Sequence, residues 1–501
     1  MNLALAFAQS ARNDPAKTAL FWGDVRFSYG QFWEQTRLVA EQLQTRLGVR
    51  RGDRVGLWLR NCPEFVPALF GIWQAGAVAV PINSFFKPAE VLFILADAGI
   101  EAVILDESMK EGFAKVVEEK GGLKALFVES LGGQAAADAE PRADLAEGDL
   151  AVIVYTSGTT GHPKGAMLSH GNLLANVDSC RHVLKAVGED RFVVLLPMFH
   201  SFMFTVGVVL PMLIGGSIVL IKTLHPPKNI VMEIIQHRGT LLPAVPQFFR
   251  ALAHSPAPVE LPLRVCISGG APLPAETLRE FTARFPMPLL EGYGLSEASP
   301  VVSFTPILGP WKAGSIGVPI LGVEVSIQNE AGEMLPAGQI GELCVRGRNV
   351  MLGYWNQPAA TAEVMRHGWL LTGDIGYADA DGYFYITDRK KDMLLVNGIN
   401  VYPREIEEVL YQYPGVREAA VIGIPDARKG EQPLAFVAGH EGVQLEEKGL
   451  LEYLRERLAD YKLPRAVVFM AALPHSATGK ILKTELRKMA KKPSPEGGKA
   501  G

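Results

Sequence analysis

Over its first half the chain alternates between two patterns of apolar and polar residues. "YGQFWEQTRLVAEQLQTRL" (29–47) interleaves apolar side chains with amides and charges at helical spacing, which predicts an amphipathic helix. "DRVGLWL" (53–59) and "AVAVPIN" (77–83) are short apolar runs and predict strands. "PEFVPALFGIWQAG" (63–76) predicts the helix between them. Strand, helix, strand in that order implies a mostly parallel sheet with helices on its faces. The rhythm continues through "VVLLP" (193–197), "SIVLI" (217–221), "LRVCISGG" (263–270) and "MPLLEGYG" (287–294).

The pattern changes near Gly314. "GSIGVPILGVEVSIQNEAGEMLPAGQIGELCVRG" is rich in glycine and alternates apolar with polar residues, as hairpins do. After "DRKKDMLLVNG" (388–398) come a helix over 403–413, a strand over 419–424, a second strand, and a helix over 446–459. The expected fold is α/β in two domains. Residues 1–389 form a large N-terminal domain of parallel or mixed sheets flanked by helices, with a small β-barrel-like subdomain over 314–389. Residues 390–490 form a small, mobile α+β domain. The tail 491–501, "KKPSPEGGKAG", is polar and rich in Pro and Gly, and is expected to be disordered.

"FTVGVVLPMLIGGSIVLI" (204–221) runs eighteen residues without a charge, long enough to test as a membrane span. Pro211 and the Gly215-Gly216 pair argue instead for a buried helix, a turn and a buried strand from Ser217 to Ile221. Peripheral contact with a membrane surface stays open. The opening "MNLALAFAQSARND" lacks a basic segment ahead of its short apolar stretch, so a secretory signal is not expected.

Composition narrows the class. Lys+Arg 49 against Asp+Glu 53 leaves a net charge of −4, with no basic field to attract nucleic acid. Cys62, Cys180, Cys266 and Cys344 are widely spaced, so neither a zinc site nor a disulfide framework is expected. A reducing cytoplasm is the simplest setting. Composition leaves monomer and homodimer open.

Candidate chemistry begins with "YTSGTTGHPKGAMLSH" (155–170). An apolar run leads into a loop of glycines and hydroxyls holding one cation, Lys164. Such a loop suits a polyphosphate, through backbone N–H groups, hydroxyls and ammonium together. It is not a Walker A loop, because Pro163 stands at the second glycine position and Gly165 follows the lysine. Taken alone it is as readily a plain turn. Four further stretches are equally specific: "GGAPL" (269–273), "EGYGLSEAS" (291–299), "TGD" (372–374) with "DRKKD" (388–392), and "SATGK" (476–480).

In this order the five stretches resemble the adenylate-forming superfamily, which includes the acyl-CoA synthetases, over about Phe7 to Lys488. The resemblance implies a ligase that joins a carboxylate to AMP, releases pyrophosphate, and passes the acyl group to a thiol, usually that of coenzyme A. ATP, Mg²⁺ and coenzyme A are the implied cofactors. Thr156, Ser157, Gly158, Thr159, Thr160, Gly161 and Lys164 would form the phosphate loop. Gly269, Gly270 and Ala271 would lie along the adenine, with Gly292, Tyr293 and Gly294 beside it. Glu297, with Thr156, would hold Mg²⁺, a hard cation suited to oxygen donors. Ser296 stands where the family usually has Thr, and keeps the hydroxyl. Asp374 and Arg389 would hold the ribose. Lys480 would neutralise charge at the α-phosphate. Lys391 would be the hinge on which the small domain turns, bringing Gly398 to the thiol tunnel.

The resemblance places His200 of "PMFHSFMFTVG" (197–207) at the acyl pocket. That stretch has no acid to pair a substrate ammonium, so an amino acid is disfavoured. Met203 departs from the small residue common there. Phe202, Phe204, Val206, Val208, Val209 and Leu210 divide between pocket lining and core. The run "DRKKDMLLVNGINVYPREIE" resembles bacterial medium- and long-chain fatty acyl-CoA synthetases more than their aryl-specific relatives, which implies a medium- or long-chain fatty acid as the partner substrate. An aryl acid such as benzoate or a coumarate is the alternative, and a carrier-protein thiol the alternative acceptor. A nucleotide-binding protein without catalysis is disfavoured, since Lys164, Glu297, Asp374, Arg389 and Lys480 are all present.

Overall fold

The apolar runs of the first half pair into two large sheets. A computed structural model of the chain describes residues 1–132, 144–156, 163–255, 260–426, 428–476 and 479–491. The phosphate-loop residues Ser157, Gly158, Thr159, Thr160 and Gly161 lie outside the described residues, as does the tail from 492 onward.

One sheet has nine strands, with Thr18–Trp22, Ser217–Leu220, Arg191–Val194, Leu241–Ala244, Val265–Ser268 and Leu289–Gly294 side by side and parallel. Antiparallel strands finish it at both edges, Val25–Ser28 on one side and Val301–Phe304 with Val318–Pro319 on the other. The second sheet has seven strands. Arg54–Trp58 is flanked there by parallel Val78–Pro81 and Ala102–Leu105, and Leu150–Thr156 turns back as Lys164–Ser169. The central strands of both sheets are buried along their length, which is why they read as apolar runs rather than alternations.

The helix expected over 29–47 spans Tyr29–Thr45, opened by a capping box in which Ser28 and Gln31 satisfy each other's backbone. The first residues form a helix, Leu3–Asn13, with Leu3 and Phe7 fully buried. Among the described residues no helix is long and apolar enough to cross a membrane. The uncharged stretch near 204–221 is buried instead: a helix ends at Gly215 in the left-handed region (φ +74°), and the strand Ser217–Leu220 follows.

That helix differs from expectation in its winding. Met203–Val209 is π-helical, and the Leu210 N–H donates to the Thr205 carbonyl, five residues back. α-Helix resumes over Leu210–Ile214.

Downstream, Val323–Gln328, Gly341–Gly347, Met365–Arg366, Trp369–Ala378 and Phe384–Arg389 form a five-stranded antiparallel sheet. Its strands join through antiparallel neighbours, as the hairpin pattern of the glycine-rich stretch implies. The small C-terminal sheet pairs the long strands Val416–Asp426 and Gly430–Gly439, with Val467–Phe469 parallel at one side. Helices Pro403–Tyr411 and Glu447–Arg455 are shorter than their apolar patterns implied. They cover an apolar cluster of Leu394, Val401, Ile406, Leu410 and Val437 that is separate from the large domain's core.

Candidate functional site

Two strands of the antiparallel sheet bring Asp374 and Arg389 face to face as register partners. Arg389 Nε donates to Asp374 Oδ1 at 2.7 Å. The other carboxylate oxygen accepts from the Tyr293 hydroxyl at 2.6 Å. Asp374 is buried, and its charge is the main cause holding the Arg389 guanidinium well above its ordinary value. Burial first, then Asp374, pushes the Tyr293 phenol far up, so it stays a donor. A buried carboxylate fixed by a phenol and a guanidinium is a ready acceptor for a diol.

A second cluster gathers around Glu297, on the tight turn Ser296–Ala298 that follows Tyr293. Its Oε1 accepts from the Tyr354 hydroxyl at 2.8 Å, and its backbone carbonyl accepts from the Met351 N–H. Tyr354 lies on the short strand Gly353–Tyr354 and pairs with Ala166 in the strand Lys164–Ser169. Lys164 places its ammonium 5.2 Å from the centre of the Tyr354 ring. Thr156 is the register partner of Lys164 and donates its hydroxyl to the Lys164 carbonyl at 3.4 Å. Thr156 and Lys164 thus stand at the two ends of the segment expected to form the phosphate loop. Ser296 donates to Ser201 at 3.0 Å, joining this turn to the "FHSF" stretch.

Beside these clusters, with Tyr293 and Ser201 in its wall, opens a cavity. Gly269, Gly270, Gly292, Tyr293 and Gly294 line one part of it, and His200, Ser201, Phe202, Val206 and Phe304 another. A Cβ on Gly269 would press on the Phe202 ring, and one on Gly294 would collide with the Pro300 backbone. Ala271 follows on the same loop, half-buried. Of the apolar residues that could line the pocket, Phe202 and Val206 do, while Phe204, Val208, Val209 and Leu210 are buried in core. Met203 is fully buried, with its thioether in the space a Cβ on Gly207 would need. The large Met is accommodated by the missing side chain at 207 and stays out of the cavity. His200 is pushed down to about 4 by burial, with Lys480 adding to the effect, so it is neutral near pH 7.

Lys480 reaches this place from the small domain. Its loop is tied by the Ser476 N–H to the Lys480 carbonyl and by the Lys480 N–H to the Ser476 hydroxyl. Gly479 (φ +77°) passes so close to Gln247 and Val245 of the large domain that a Cβ would clash with the Gln247 amide. Solvent still reaches the Lys480 side chain, but protein crowds it. That desolvation, with Arg389 next and Asp374 opposing, brings it down to about 8.

The structure therefore gathers Thr156, Lys164, His200, Tyr293, Ser296, Glu297, Asp374, Arg389 and Lys480 from distant stretches into one cleft between the domains. Gly398 (φ +76°) is not among them. It sits at a hairpin tip of the small domain with open space around it. Lys391 lies between two anchors. The Lys390 N–H donates to the Gly373 carbonyl and its ammonium pairs with Glu342 at 3.2 Å, while Asp392 pairs with Arg487 of the small domain at 2.6 Å. Sequence reasoning missed Tyr354. Its only local signal is the "GYW" at 353–355, where an aromatic follows a glycine with φ +134°.

A family model described as AMP-binding enzyme matches residues 7–355, and one for the AMP-binding enzyme C-terminal domain matches 405–480. A feruloyl-CoA synthase from Amycolatopsis is 39% identical over 95% of this chain and 97% of its own. A long-chain-fatty-acid–CoA ligase from Escherichia coli is 36% identical over 91% and 89%. Among solved structures, ATP-bound MatB from Rhodopseudomonas palustris is 34% identical, covers 98% of this chain and 99% of its own, and superposes with a TM-score of 0.90. The apo form of the same protein covers 98% and 99% but reaches only 0.79.

Proposed function

The chain belongs to the AMP-binding enzyme family and is an AMP-forming acyl-CoA ligase, and from that premise we propose that its acid is a medium- or long-chain fatty acid. The observation that carries this reading is the cavity lining. Among the described residues it holds no Asp, Glu, Lys or Arg, and its His200 is neutral near pH 7. An apolar chain loses little on entering such a pocket, whereas a second carboxylate or an ammonium would be left uncompensated. An aryl acid is the second reading, favoured by the 39% identity to a feruloyl-CoA synthase.

In this reading Asp374, held by Arg389 and Tyr293, takes the ribose hydroxyls of ATP. The glycines at 269, 270, 292 and 294 leave room for the adenine. Glu297 and Thr156 offer oxygen donors that fit Mg²⁺, which would offset phosphate charge when bound. Lys480 and Lys164 add positive charge where the carboxylate oxygen attacks the α-phosphorus and the bond to pyrophosphate breaks. The thiol of coenzyme A then attacks the acyl carbon, and AMP leaves. The second step needs Lys480 withdrawn. The Lys390 side chain is tied to the large domain and the Asp392 side chain to the small one, so a swing about Lys391 would part them and break the Asp392 and Met393 N–H bonds to the Arg389 carbonyl. The higher likeness to ATP-bound than to apo MatB supports reading the present arrangement as the adenylating one.

The test is pyrophosphate release with coenzyme A present, across decanoate, palmitate, benzoate and coumarate. Turnover of decanoate or palmitate is expected, and turnover of the aryl acids alone would refute the preference. Release of free thioester with coenzyme A as sole thiol distinguishes it from loading of a carrier protein.

A further inference from the structure

The helix Pro246–Ala253 buries Phe249 and Leu252 in the large domain and turns another stripe toward the small one. Gln247, Arg250 and His254 are spaced three and four residues apart, so they share one helical face. Each meets the small domain. Gln247 Nε2 lies 2.6 Å from His475 Nε2, on the Lys480 loop. The His254 and His440 rings lie 5.3 Å apart. Arg250 makes the largest set of contacts: Nη1 donates to the Arg417 carbonyl at 2.5 Å and Nη2 to the Val416 carbonyl at 2.7 Å. Nη2 also lies 3.3 Å from His440, and the guanidinium sits 5.8 Å from the Tyr411 ring centre. Its nearest carboxylate, Glu280 of the large domain, is 3.9 Å from Nε.

None of the three residues lines the cavity. Their small-domain partners are two backbone carbonyls and the rings of His440, His475 and Tyr411, which a rotation about Lys391 would carry away. Contacts made in one arrangement only shift the balance toward it. A guanidinium suits the task because its planar fork is fixed in the geometry that reaches the two adjacent carbonyls, so less freedom is lost than with a flexible ammonium.

We propose that Arg250, with Gln247 and His254 on the same helix face, is a docking ridge that holds the small domain where Lys480 reaches the adenylation site. Arg250 is then a positioning residue for adenylate formation, with no role in thioester formation. The proposal rests on the reading that this arrangement is the adenylating one.

The experiment compares wild type, Arg250→Ala, Arg250→Lys and Lys480→Ala in two assays: acid-dependent exchange of pyrophosphate into ATP, and thioester formation from supplied acyl-AMP. For Arg250→Ala the exchange should fall about tenfold or more, from loss of two charge-assisted bonds. Thioester formation should be unchanged or faster. Arg250→Lys should fall between, and carries the same test should the alanine variant not fold. Retained exchange in Arg250→Ala, or an equal fall in both assays, would overturn the proposal. Retained exchange in Lys480→Ala would instead refute the adenylation reading, so the two failures are distinguishable.

Discussion

Arg389 and Asp374 face each other across a strand pair, with the guanidinium Nε 2.7 Å from the carboxylate. Both lie in the large domain's sheet, with Arg389 at its end, where the chain leaves for the small domain. Any movement of the segment after Arg389 therefore pulls on the group that would grip the ribose.

Asp374→Asn removes the charge while keeping the shape. Arg389 loses its partner, and the ribose loses an anionic acceptor. Charged hydrogen bonds contribute roughly 1.5–3 kcal/mol each, so KM for ATP should rise on the order of tenfold or more. Steady-state kinetics with ATP varied checks this, and an unchanged KM would remove Asp374 from the nucleotide site.

Lys391→Pro fixes φ at the residue between the Lys390 and Asp392 side-chain anchors. Adenylate formation should survive while thioester formation from supplied acyl-AMP collapses. Lys480→Ala should give the opposite pattern. Equal slowing of both half-reactions in both variants would count against rotation of the small domain.

The third prediction concerns pH. Lys480 sits near 8 in the closed cleft and would return to the ordinary 10.5 once swung into water. Between those values the closed form binds fewer protons, so closure of the empty enzyme is favoured as pH rises through that window. Below pH 8 closing the empty cleft brings an ammonium beside Arg389 and Lys391, a cost that a polyphosphate reverses. At pH 7.5 Lys480 should carry on the order of 100-fold more neutral amine than an ordinary lysine. An amine-directed reagent should therefore modify it well before the exposed Lys448, and ATP should protect it. Peptide mapping gives the rates, and equal modification of the two lysines would contradict the crowded environment.

Much of the cleft was legible in the chain because its residues come in short, ordered stretches. Tyr293, Asp374 and Lys480 each follow or sit among glycines, which mark their stretches, while Arg389 is marked by the basic run that it opens. Tyr354 was not legible, because its partner Glu297 is distant in sequence and only the pairing of Gly353–Tyr354 with Lys164–Ser169 brings them together. The Arg250 ridge was hidden for a related reason. Its partners are backbone carbonyls, which leave no residue type to recognise. Fold class followed from burial: strands buried on both faces are apolar throughout, and the separate α+β pattern after residue 390 marks a second core. The π winding of 203–209 left no trace, because a segment apolar on every side has no polar face to report its period.

That underwound segment has a consequence for the cavity wall. A π turn accommodates an additional residue that an ordinary turn does not. Deleting one position between Met203 and Val209 would restore α winding and rotate Phe202 and Val206 relative to the chamber they face, while leaving Leu210 and the strand beyond in place. One deletion would therefore reshape the cavity wall that Phe202 and Val206 form, without a chain of compensating substitutions.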